Sequence, residues 1–104
     1  MKIGIIISVN DAETCWNAFR YANFSLDQKD EVKVFLMGKG VEYQSISTPK
    51  FNTIEQAEKL LKNGGKILAC GTCIKSREQE GTEMCPISTM KDMYEIIKES
   101  EKVV

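Results

Sequence analysis

The chain contains no histidine, so neither a Cys-His catalytic pair nor a His-based metal site is available to it. It has only two prolines, Pro49 and Pro86. Charge of one sign is also missing: 14 basic and 15 acidic residues leave a net charge of -1, which argues against a nucleic-acid surface. The apolar opening Lys2 to Val9 is too short to span a bilayer and lacks the basic lead-in and cleavage site of a signal peptide. No repeat, low-complexity tract or linker interrupts the 104 residues. These features predict one cytoplasmic domain, large enough to bury roughly two-thirds of its unfolded surface. They predict no nucleic-acid partner, no membrane partner and no cofactor. Phosphate-binding motifs are absent too: Gly38-Lys39-Gly40 has neither the P-loop nor the G-x-G-x-x-G spacing, and reads as a turn.

Sulfur is what the chain does have. Four cysteines in a reducing compartment point to catalysis or metal binding before disulfide staples. Two of them form the close pair Cys70-Gly71-Thr72-Cys73, directly after the apolar run Lys66 to Ala69.

The pattern around that pair is an alternation of strands and helices. Lys2 to Ser8 reads as a β-branched strand of the kind buried on both faces of a parallel sheet, and Glu31 to Met37 is a second strand, ended by Gly38 and Gly40. Asn10 with Glu13 predicts a capping box opening a helix from about Asp11 to Gln28, with Cys15, Ala18, Phe19, Ala22 and Leu26 as its apolar stripe. Trp16, Tyr21 and Phe24 fall off that stripe, as oligomer contacts or second-layer core. Val41 to Asn52 reads as a polar loop or lid. Thr53 with Gln56 predicts a second capping box, with Ile54, Ala57, Leu60 and Leu61 inward and Gly64-Gly65 as the stop. Lys66 to Ala69 is a third strand, followed by a turn and short helix to about Glu80. Glu83 to Cys85 is a brief fourth strand. Ser88 or Thr89 caps a last helix with Met90, Met93, Tyr94 and Ile97 on one face, and Lys102 to Val104 is a final strand. The prediction is an α/β fold: a three-layer α/β/α sandwich with a mainly parallel sheet of four to five strands.

Parallel α/β sheets react at the carboxyl ends of their strands, which is where Cys70 falls. A thiol there, at a helix start and near a cation, loses its proton more readily and becomes a nucleophile. Cys70 is therefore the candidate nucleophile, against the alternative of a small core residue. Cys73, one turn on, is placed to resolve or accept what Cys70 carries, or to pack the short helix. Arg77 shares a helical face with both, to hold a thiolate or an anionic donor, or to sit in solvent beside Glu78 or Glu80. Cys15 and Cys85 reach the same sheet edge, so Cys15, Cys70, Cys73 and Cys85 form a possible metal set. Only one close pair exists where zinc motifs show two, and Cys15 also fits the core stripe.

The chain resembles the DsrE/DsrF-like family of small sulfur-relay proteins along nearly its whole length. The resemblance rests on Asn10-Asp11-Ala12-Glu13 with Trp16, Ala18, Phe19 and Ala22, and on Glu31 to Leu36 followed by Gly40-Val41-Glu42. It rests also on Cys70-Gly71-Thr72-Cys73 with Arg77, as in small single-domain members, and on Cys85 to Met90. It implies a persulfide carried at Cys70, with Arg77 at the position of the family's arginine, and Glu78 standing where relay relatives have glycine. It implies a homo-oligomer, trimer or hexamer, working between sulfur donor and acceptor proteins. The C-x-x-C pair keeps a dithiol oxidoreductase open as an alternative, although thioredoxins carry a downstream cis-proline for which Pro49 and Pro86 are the only prolines available. A metal-binding or structural subunit without catalysis is the third reading.

Overall fold

The computed structural model describes residues 1–76 and 87–104. In chain order it has β1 (Lys2–Ile7), α1 (Ala12–Asp27), β2 (Glu31–Leu36), a 3-10 turn (Gly38–Glu42) and α2 (Thr53–Lys62). Then follow β3 (Lys66–Cys70), α3 (Gly71–Ser76), β4 (Ile87–Ser88), α4 (Met90–Glu99) and β5 (Lys102–Val103). The strands form one sheet in the order β4-β3-β2-β1-β5, and each pairing is parallel. Among the described residues no helix is long and apolar enough to cross a membrane.

Strand alternation divides the interior in two. Ile3, Ile5 and Ile7, then Val32, Val34 and Leu36, then Ile67 and Ala69 face one side, where Cys15, Phe19 and Ala22 of α1 and Ala57 and Leu60 of α2 cover them. Phe35, Leu68 and Cys70 face the other side, under Met93 and Ile96 of α4. The predicted three-layer architecture is thus present, and its handedness explains the layering. The path β1 to β2 to β3 steps one way across the sheet, so right-handed crossovers put α1 and α2 on one face. The step from β4 back to β5 runs the other way and carries α4 to the opposite face.

The single helix on the second face seats itself through a glycine. A Cβ at Gly4 would meet Ser100 Oγ at 2.6 Å and Ile96 Cγ2 at 3.0 Å, so only glycine lets α4 come this close to β1. That contact turns Met93, Ile96 and Ser100 toward the sheet. Of the apolar face predicted for this helix only Met93 packs on the core, while Met90, Tyr94 and Ile97 stand exposed, Tyr94 by 62%.

Other expectations shift by a residue. Asp11, not Asn10, caps α1, its carboxylate accepting from Thr14 N at 2.9 Å, while Asn10 Nδ2 donates to Glu42 Oε1 at 3.4 Å. Asn52, not Thr53, caps α2, its side-chain oxygen accepting from Glu55 N at 3.0 Å. Thr53 is buried instead, donating its hydroxyl to the Tyr43 carbonyl at 2.6 Å. Thr89 is the cap of α4, in a capping box with Asp92. α3 starts directly on Gly71, with no intervening turn. Of the segment read as a loop or lid, residues 43–52 form a loop, anchored by buried Val41 and Tyr43, whose ring lies 5.2 Å from that of Phe19. Trp16 packs edge-on against Phe51 at 5.3 Å, while Tyr21 and Phe24 stay exposed. The strand expected at Glu83 to Cys85 lies outside the described residues.

Candidate functional site

β3 and β4 lie side by side, yet the chain leaves them toward opposite faces. From β3 it enters α3, whose Ile74 joins the core under α1 and α2. From β4 it enters α4, over the other face. Open α/β sheets have their ligand crevice where neighbouring strands diverge in this way. Here the divergence opens a cleft of about 560 Å³, lined by Cys70, Thr72, Cys73, Ser88, Thr89 and Met90. A shallow depression on the outer side of α4, lined by Lys91, Tyr94 and Lys98, contains no thiol.

Cys70 is the last residue of β3 and is 5% exposed. Burial pushes its thiol up, but the Cys73 N–H, the Cys73 thiol and the Thr72 N–H all hydrogen-bond its sulfur. Together they outweigh the burial and hold it below the ordinary thiol value. Cys73 is half-buried and touches both cores. Its Sγ in turn accepts the Gly38 N–H at 3.1 Å, from a residue 35 positions earlier in the chain. The result is a chain of donors: Gly38 N–H to Cys73 sulfur, Cys73 S–H to Cys70 sulfur. Such chains polarise in the direction that favours charge at their end, here the Cys70 thiolate.

Gly38 sits at φ +53°, the left-handed region that glycine enters freely, where the chain turns out of β2. The Gly38-Lys39-Gly40 stretch is a turn, as expected, and it also supplies a main-chain donor to the site. Its glycines were the only sequence signal for that role. Ser88 is the second residue that sequence reasoning missed at the cleft, because its position depends on the β3–β4 register.

Of the remaining candidates, only Cys15 is among the described residues. Cys15 is buried in the α1 face, its Sγ donating to the Val9 carbonyl at 3.3 Å. Burial first, and the Asp11 charge second, push its thiol up to about 11. Among the described residues no group of three His, Cys, Asp or Glu side chains assembles to hold a metal. Arg77 and Cys85 lie outside the described residues.

Labelling with iodoacetamide across pH reads these differences. Cys70 labels at a lower pH than an unfolded thiol, and its rate falls as pH drops through its own depressed pKa. Cys15 in the folded protein stays unlabelled until pH approaches about 11. Cys73→Ala removes one donor from the Cys70 sulfur and moves the Cys70 midpoint up. An unmoved midpoint would mean that the thiol–thiol bond contributes nothing.

Comparison with known proteins places this fold. The chain is 32% identical over 100 residues to an uncharacterized protein of Methanopyrus kandleri, covering 88% of this chain and 81% of that one. It is 32% identical over 113 residues to an uncharacterized protein of Methanocaldococcus jannaschii, covering 100% and 98%. Among solved structures, a conserved protein of unknown function from Bacteroides thetaiotaomicron superposes with a TM-score of 0.77 at 19% identity, over 99% of this chain and 92% of that one. The family model that matches is that of the DsrE/DsrF-like family, over residues 1–104, and the chain belongs to that family.

Proposed function

We propose that this is a single-domain cytoplasmic sulfur-relay protein that carries sulfane sulfur as a persulfide on Cys70 and passes it to a protein partner. Family membership suggests a sulfur-relay role in general. The observation that carries the finer reading is the donor chain from Gly38 through Cys73 onto Cys70, both cysteines lining an open cleft. A carrier needs a thiolate near neutral pH, donors to hold the anion, and room for a second sulfur.

The Cys70 thiolate attacks the outer sulfur of a donor persulfide, R–S–SH. A bond forms between Cys70 Sγ and that sulfur, the donor's S–S bond breaks, and the donor leaves as the thiolate R–S⁻. The proton on the transferred sulfur stays with it or passes to water. Delivery reverses the roles: an acceptor thiolate attacks the outer sulfur and Cys70 leaves as thiolate. No net oxidant or reductant is consumed. In this reading Cys73 takes the outer sulfur from Cys70 as a second station, and Arg77 is the cation for an anionic donor that the family resemblance implies.

Loading with inorganic polysulfide, desalting and cyanolysis test this reading. The expected result is about one equivalent of thiocyanate per chain, one sulfur per reactive thiol. Release of none would overturn it. The thiol–thiol hydrogen bond between Cys73 and Cys70 also favours a second reading, a dithiol oxidoreductase. Catalysed insulin reduction, with no sulfur loading, would replace the relay by that activity.

The reading includes a homo-oligomer, for which exposed Met90, Tyr94 and Ile97 offer apolar surface. Light scattering on the eluting protein should give a multiple of the 11.7 kDa chain. A single-chain mass at micromolar concentration would remove the oligomer from the account.

A further inference from the structure

Ser88 is 7% exposed, one of the few polar side chains buried in this fold, and it is directly paired with Cys70 in the β3–β4 register. Register partners on adjacent parallel strands present their side chains to the same face, at the strand spacing of about 4.8 Å. Ser88 therefore stands beside Cys70 in the cleft that both line. The other two hydroxyls there are differently placed. Thr89 Oγ1 donates to Asp92 Oδ2 at 3.1 Å as part of the helix cap. Thr72 is exposed to solvent.

The hydrogen bonds that reach the Cys70 sulfur come from Thr72 and Cys73, at the α3 side. Ser88 stands on the neighbouring strand β4, and its hydroxyl is not among those donors. A persulfide extends Cys70 by one S–S bond of about 2.05 Å. The cleft that Cys70 and Ser88 both line has room for that extension, while the Thr72 and Cys73 donors are already used on Sγ.

We infer that the Ser88 hydroxyl donates a hydrogen bond to the outer sulfur of a persulfide on Cys70 and retains it in the cleft. The inference rests on the relay reading and deepens it, naming the group that holds the cargo. The outer sulfur of a persulfide is the anionic atom at neutral pH. A hydrogen bond to a charged acceptor is stronger than one between neutral groups. Without that bond the outer sulfur is less well held, and cargo is lost sooner.

The test compares wild type, Ser88→Ala, Ser88→Thr and Ser88→Val after loading with inorganic polysulfide and desalting. Persulfide remaining on Cys70 is followed by cyanolysis over time. Thr and Val have nearly the same shape, so their difference isolates the hydroxyl, and either suits a strand. Ser88→Ala and Ser88→Val should lose persulfide about ten times faster than wild type, with Ser88→Thr near wild type. The iodoacetamide midpoint of unloaded Cys70 should be unchanged in all four, because the hydroxyl acts one sulfur further out. Equal lifetimes for Thr and Val would overturn the Ser88 role while leaving the relay reading intact. A midpoint that shifts together with the lifetime would do the same, by showing a general disturbance of the site. Failure of wild type to load would overturn the relay reading and this inference with it.

Discussion

Cys70→Ser leaves the protein folded and unable to take up sulfane sulfur, with uptake reduced at least about a hundredfold. The nucleophile must be an anion, and a serine hydroxyl does not ionise near neutral pH, however many donors face it. The N–H groups of Thr72 and Cys73 that hold the Cys70 sulfur would instead satisfy the new hydroxyl. The buried polar atom therefore costs little beyond the sulfur's packing. Circular dichroism and a thermal melt check the fold, and thiocyanate release after polysulfide loading checks the activity. Cys70→Ala, which introduces no polar atom, should give the same loss. Cys73→Ser should still load, because Cys70 remains and serine can replace the donating S–H. Loading of Cys70→Ser at the wild-type level would take the carrier role away from Cys70.

Gly40→Ala should be among the most damaging single-methyl additions in the chain. The new Cβ would fall on the carbonyl of Ile7, with Ile7 Cγ2 also within 3.3 Å. That carbonyl belongs to the end of β1 and accepts the Met37 N–H at 3.0 Å, so it has no freedom to retreat. The 3-10 turn must move instead. A forced shift of this kind costs about 2–3 kcal/mol. In a domain of this size that is a fall of roughly 10–20 °C in Tm. The same movement draws the Gly38 N–H away from the Cys73 sulfur, so the donor chain weakens and the Cys70 labelling midpoint rises. Lys39→Ala, at an exposed position of the same turn, should stay within about 0.5 kcal/mol of wild type. A Gly40→Ala protein that melts with wild type would mean the turn is not held against β1 as described.

The layers were legible because they depend on local pattern. Ile3, Ile5 and Ile7, and likewise Val32, Val34 and Leu36, recur at every second position, so strand and face follow from period and β-branching. Cys70 was legible for the same reason, since an apolar run ends on it. The caps were displaced by one residue where two capping types stand together, as at Asn10-Asp11 and Asn52-Thr53. There the choice is made by partners 32 and 10 positions away, Glu42 for Asn10 and Tyr43 for Thr53. The apolar stripe of α4 did not show which of its residues pack inward, because the helix's seat is a gap over Gly4, which its own sequence does not encode. The Gly38 donor to Cys73 and the Ser88 position beside Cys70 were invisible for a related reason. Each is created when distant strands come into register, and neither changes the local propensity of its segment.

Peptide mapping after polysulfide exposure tests the central claim most directly. Trypsin releases Ile67 to Lys75 as one peptide carrying both Cys70 and Cys73, so fragmentation within it assigns the sulfur. The account predicts an added mass of about 32 Da on this peptide, one sulfur, located on Cys70 and discharged by a small thiol. An unmodified peptide, or sulfur found on Cys15 alone, would contradict it.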